Sequence, residues 1–334
     1  TVLDDVLATA NGTVGGMMAE GEVEVIAQAD VETLATIGLT ARLVAKGNVS
    51  VEARTEVTDV EVEATGGGGG LAGAGGAWAE FDFATMNTEV LLGGRSSVNA
   101  DGDVDLSATA LIDLSALVSQ DLGAVEAGAS VQAEVGTIML TNTTVDDAAT
   151  VVGKTVTITA SAEQIRGHAT SDCNAKGLDA AVESWVVVWY IVTTTVWIDW
   201  KAKVTGRDGV TILAQAGNLD TVTSTFLECG SFAPRVFVKA WDHVTVNTTV
   251  HTTGGSKLMT PTLMITSNPV FGSQYYRQDA GRISVSGAFP KVTYDLLENG
   301  LSRNSFIQFY GDAVYVPVLS LHIDADGTID SSGG

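Results

Sequence analysis

Along most of the chain, apolar and polar residues alternate singly in short phrases that close on Ala or Gly. Residues 21–27 (GEVEVIA) set the pattern. Residues 47–53 (GNVSVEA), 102–108 (GDVDLSA), 154–160 (KTVTITA), 208–214 (DGVTILA), 234–240 (PRVFVKA) and 281–287 (GRISVSG) repeat it. The third and fifth residues of each phrase are β-branched or Leu. A period of two with one apolar face is a strand half-buried on a core. The phrases begin 26, 55, 52, 54, 26 and 47 residues apart, so most intervals are one or two multiples of about 26–27. Single strands recurring at such a period predict an all-β, parallel β-solenoid (β-helix), with one coil per 26–27 residues stacked strand on strand.

The pattern carries coils over 1–288, with a loop insertion near 163–184, where Gly167, Asp172, Asn174 and Gly177 interrupt it. Beyond Val246 the rhythm loosens and prolines enter. Residues 289–334 are expected to form an irregular cap or contact segment, since an open solenoid end exposes unpaired backbone groups. The run 66–76 (GGGGGLAGAGG) has a linker's composition but falls within the repeat, which favours a glycine wall where backbones pass closely or a sharp corner. The most apolar run, 185–200 (WVVVWYIVTTTVWIDW), is shorter than a membrane-spanning helix and contains Asp199, so it reads as buried strand. Three of its four tryptophans, Trp185, Trp189 and Trp197, together with Tyr310 and Tyr315, are candidates for a lateral contact surface.

Residues 87–94 (NTEVLLGG) followed by 97–108 (SVNADGDVDLSA), and 35–38 (ATIG) followed by 43–53 (LVAKGNVSVEA), resemble the repeats of filamentous-haemagglutinin-type giant adhesins. The likeness covers roughly 20–165 well and 205–255 weakly. It implies a right-handed β-helix exported to the bacterial surface.

Charge narrows the partners. A net charge of −23 with no basic run disfavours nucleic acid and anionic membrane surfaces. Strongly acidic outer faces keep a strand-rich protein dispersed, and they also suit a calcium-rich or high-salt setting. Asp101, Asp103 and Asp105, and Asp324 and Asp326, are short acidic turns and the calcium candidates; neither group completes an EF-hand loop. Cys173 and Cys229, two coils apart at the expected period, are a possible disulfide. The four histidines (His168, His243, His251 and His322) lack a third ligand at useful spacing. No nucleophile elbow is present. Glu22, Asn48, Asp103 and Arg235 share one outward position in their phrases, so stacked polar columns are open to a polysaccharide lyase or hydrolase.

The expectation is an extracellular structural or adhesive solenoid at a bacterial cell surface, not an enzyme. It would bind a host or neighbouring-cell protein or glycan through an extended surface. The rivals are a self-assembling filament or sheath subunit, and a polysaccharide-active β-helix.

Overall fold

The computed structural model describes residues 1–268. Beyond them it describes the strands Gln274–Asp279, Ile283–Ser286, Lys291–Leu296, Gly300–Phe309, Val314–Tyr315, Ser320–Ala325 and Thr328–Asp330. Side chains are described through residue 268, apart from 4–5 and 82–84. Everything described is strand or turn. The first nine strands are β1 (Val2–Ile37), β2 (Arg42–Ala45), β3 (Val49–Leu92), β4 (Ser97–Ala100), β5 (Val104–Val145), β6 (Thr150–Lys176), β7 (Asp179–Ile198), β8 (Lys203–Gly230) and β9 (Arg235–Thr252).

Among β1 to β9, residues pair in parallel with partners 52 to 55 positions later, as in Val2 with Glu56, Val104 with Val156 and Val182 with Val236. The chain is therefore a parallel solenoid, but its coil is about 54 residues long, twice the expected 26–27. The reason is that each coil runs out along one sheet and back along a facing one. Side chains meet across the interior at Ser171–Ser184 (2.7 Å), Thr221–Asp242 (2.7 Å) and Thr248–Ser267 (2.9 Å). The two halves of a coil carry the same alternation, so the phrase recurs at half the true period. The phrases at 47–53, 102–108, 154–160 and 208–214 stack directly on one another, and those at 21–27 and 234–240 belong to the other lobe.

The interior is divided. One core gathers Val57–Met86-type positions, with Ile112, Leu114, Val135, Ile165 and Val188 fully buried; the other gathers Val98, Leu106, Ile158, Val204 and Ile212. Between them runs a threonine column, Thr33–Thr88–Thr141–Thr194–Thr248, each over the last. Its last four members are 0% exposed. Thr88 donates to Thr55 at 2.6 Å and Thr55 to Thr33 at 2.8 Å, whereas the hydroxyls of Thr141 and Thr194 have no partner.

One end of the flattened coil is a four-residue turn that occurs five times among the described residues. Ala41, Ser96, Ala149, Ala202 and Ser256 donate their N–H to the carbonyl three residues back, at 3.0 to 3.3 Å. The third turn residue is left-handed in every copy: Thr40 (φ 59), Arg95 (59), Ala148 (53), Lys201 (58) and Gly255 (77).

The expected loop near 163–184 is strand. β6 runs through Lys176 and β7 starts at Asp179, so only Gly177 and Leu178 interrupt. Its inward positions are Ile165, Gly167, Ala169, Ser171, Cys173 and Ala175, small and partly polar residues that mask a core-facing rhythm. The glycine run is the close-packed wall expected. A Cβ on Gly70 would lie 1.9 Å from the carbonyl oxygen of Gly16, and one on Gly66 would lie 2.1 Å from Oε1 of the inward Gln120. In the segment expected to be an irregular cap, described strands continue the ladder, with Lys291–Leu296 on Arg235–Ala240 and Gly300–Phe309 on His243–Thr252.

Candidate functional site: an outer tryptophan face and its trench

Strict alternation on β3, β5, β7 and β9 sends every second side chain outward, and parallel pairing stacks those side chains into columns. On the half-coil formed by 72–92, 126–145, 179–198 and 235–252, this places five of the six tryptophans on one outer face: Trp78, Trp185, Trp189, Trp197 and Trp241. All five are half-buried between fully buried neighbours. The three anticipated from sequence are there. Trp78 and Trp241 were missed because they lie 107 residues or more from the nearest of that set or in another strand run, and only the 54-residue register joins them.

Four of the five rings are held by neighbours in their own or the adjacent column. Trp189 lies flat over Gly136 of the coil beneath, where a Cβ would be 2.0 Å from its ring, and its Nε1 donates to Glu134 at 3.1 Å. Trp185 donates to Glu183 at 2.7 Å, and Lys239 of the next coil stands over its ring, 4.4 Å from the centroid. Trp197 stacks on His251 with centroids 3.7 Å apart. Trp241 leans on His243 at 5.9 Å.

Beside the column Trp78–Gln132–Trp185–Lys239 the outward residues shrink. Glu20, Ala74, Gly128, Ala181 and Arg235 form one column; Glu22, Gly76, Ser130, Glu183 and Phe237 form the next. The small residues at the middle of both leave an open trench of about 600 Å³, with acids at one end and Arg235 at the other. A continuation on its far side is edged by Met18, Glu126 and Asp179. The trench crosses five coils, four steps of ~4.8 Å, or ~19 Å along the solenoid axis. Arg235 reaches Asp179 at 3.4 Å.

Of the four residues expected to share an outward column, Glu22 and Arg235 meet the trench, while Asn48 and Asp103 are in the other lobe. There Asn48 Oδ1 accepts the N–H of Asp103 at 3.0 Å and Asp103 Oδ1 that of Thr155 at 3.1 Å. Asp103 is thus a turn residue, and Asp101, Asp103 and Asp105 do not converge on a cation position. Asp105 is half-buried, and burial first, then Glu52, pushes its carboxyl up. Among the described residues no three His, Cys, Asp or Glu side chains group as metal ligands. For Asp324 only the backbone is described, paired with Thr266; Asp326 lies outside the described residues. Tyr310 also lies outside them, and Tyr315 is described only as backbone paired with Leu258.

The expected disulfide is not formed. Cys173 and Cys229 are free, buried thiols. They lie on adjacent coils, but Cys173 is in register with Leu227 and Cys229 with Ala175, so the two are diagonal neighbours two positions out of step. Burial, then the neighbouring Cys229, raises the Cys173 thiol far above its ordinary value.

Carboxylates line the trench as Glu20 and Glu22 on one strand and, in its continuation, as Glu126 and Asp179 on adjacent coils, with Arg235 against Asp179. Glu20 and Glu22 alternate on one strand, so both stand on the same side of any bound chain. Glu183, the carboxylate facing them, is three coils away, ~14 Å, beyond the ~5–9.5 Å of glycosidase pairs.

No family model, curated protein or solved structure matches the chain. Among the described residues no helix is long and apolar enough to cross a membrane.

Proposed function

We propose that this chain is a structural and adhesive solenoid of a bacterial cell surface, binding partners through its broad outer face rather than acting on them. The observation that carries the reading is the gathering of five tryptophans on one outer sheet beside an open trench. These indoles are half-buried on the outer sheet and stand outside a core already closed by Val, Leu, Ile and Ala, and aromatic outer surfaces of this kind mark interaction sites. The likeness to filamentous-haemagglutinin-type repeats agrees with this reading. Adhesion of the purified chain to immobilised cell-surface glycans and proteins tests it. Retention that falls when Trp189 and Trp241 are both changed to Ala is expected, and retention that is indifferent to them sinks the reading.

A second reading, a self-assembling filament subunit, draws on one observation. β1 pairs only with β3 among the described residues, and Leu7, Met17, Met18 and Ile26 are more than half exposed along it. An unpaired parallel edge of that length is a template for another strand. Electron microscopy separates the two readings: dispersed particles favour adhesion and ordered fibres favour assembly.

A further inference from the structure

We propose that the trench binds a glycan chain bearing free amines, laid along the solenoid axis. This rests on the surface-binding reading and names the ligand class for one face of it.

Three features converge. The floor is Ala74, Gly76, Gly128, Ser130 and Ala181, so a ligand approaches the sheet closely over the ~19 Å that four coil steps provide. The column Trp78–Gln132–Trp185–Lys239 runs alongside the trench, with the two indoles two coils, ~10 Å, apart and Gln132 at the register position between them. An extended glycan presents equivalent rings at a repeat of that order, apolar C–H positions alternating with hydroxyls, which suits indoles interleaved with an amide.

Charge selects among glycans. Asp179 is engaged by Arg235, and Glu183 accepts the Trp185 N–H. Glu20, Glu22 and Glu126 are exposed carboxylates around the trench. A polyanionic glycan is repelled there, and ammonium groups along a sugar chain are complementary. A basic peptide matches the charge but not the surface. Strands beneath the trench already spend their backbone hydrogen bonds on neighbouring coils, so an extended peptide laid across them leaves its own amides unpaired. Sugar hydroxyls can use the carboxylates and Gln132 directly.

The test titrates the full chain with a glucosamine hexasaccharide, its fully N-acetylated counterpart and hexalysine, by calorimetry and tryptophan fluorescence. The amine form should bind about tenfold or more tightly than the N-acetylated form, and its binding should weaken with salt. Changing Glu20, Glu22 and Glu126 together to Gln should cost about tenfold or more. Ala74→Tyr, an exposed floor position, should abolish binding while leaving the circular dichroism and melting temperature unchanged. Equal binding of the two hexasaccharides, tighter binding of hexalysine, no binding of the amine form, or full binding by a folded Ala74→Tyr variant overturns the proposal. If any of these occurs while the chain still adheres to cell-surface glycans or proteins, the inference fails and the surface-binding reading stands.

Discussion

Tyr190 fills the space that Gly167 leaves empty. A Cβ on Gly167 would lie 2.5 Å from the Tyr190 ring, and the buried phenol reaches past it to donate to the Arg166 carbonyl at 2.9 Å. The two residues face each other across the core from opposite halves of one coil. Gly167→Ala should therefore destabilise by about 2 kcal/mol through overpacking. Tyr190→Phe should cost about 1 kcal/mol through the lost hydrogen bond. The double change Gly167→Ala with Tyr190→Leu should cost less than the sum of Gly167→Ala alone and Tyr190→Leu alone. Urea midpoints for the four variants check this, and strict additivity would separate the residues.

The left-handed residues at the turn stack place a steric cost in four coils and relieve it in the fifth. Gly255→Ala should lower stability by about 1 kcal/mol, because a side chain is introduced at φ 77. Ala148→Gly should raise it by about 0.5 kcal/mol, the relief of strain being partly offset by the freedom glycine gains on unfolding. Melting temperatures of the two variants should move in opposite directions.

In the threonine column, position decides the sign. Thr141→Val and Thr194→Val remove hydroxyls that have no partner and should be neutral or stabilising by about 1 kcal/mol. Thr88→Val breaks the link to Thr55 and should destabilise by about 1 kcal/mol. Denaturation of the three single variants makes the comparison, and equal effects at Thr88 and Thr141 would contradict it.

Asp242 is 0% exposed, and burial raises its carboxyl to about 6, the hydrogen bond from Thr221 acting the other way. In the unfolded chain it titrates near ~3.9. The native state therefore holds the proton over the interval between. This group's contribution is fully present below the unfolded value and is lost as pH rises through the folded one. The loss is on the order of 2–3 kcal/mol. Since other carboxylates also titrate there, the measurement is the difference between the native chain and Asp242→Asn from pH 4 to 7. The variant's relative stability should rise with pH and level off above about 7.

How much of this was written in the chain depends on which interactions are local. Alternation at residues such as Val104, Leu106 and Ala108 announced strands and a repeating stack, because strand faces are set two residues apart. Coil length was not legible. Val23 and Val49 obey the same rule on opposite lobes, and only their ladder partners Ala77 and Val104, 54 and 55 residues on, distinguish a half turn from a whole one. The central threonine column left no signature, because a buried hydroxyl looks like an exposed one in sequence. The tryptophan face was half visible: Trp185, Trp189 and Trp197 share a strand, while Trp78 and Trp241 join them through register alone.

The broad coil sets how the protein meets force. Each coil advances the axis by only ~4.8 Å, so the chain invests its residues in breadth, and a load applied along the axis falls on the whole perimeter of inter-coil hydrogen bonds at once. Detachment of one coil from the next requires those bonds to fail together or to be peeled from one end. The tight turns that carry Thr40, Arg95, Ala148, Lys201 and Gly255 are where such peeling would begin or be arrested.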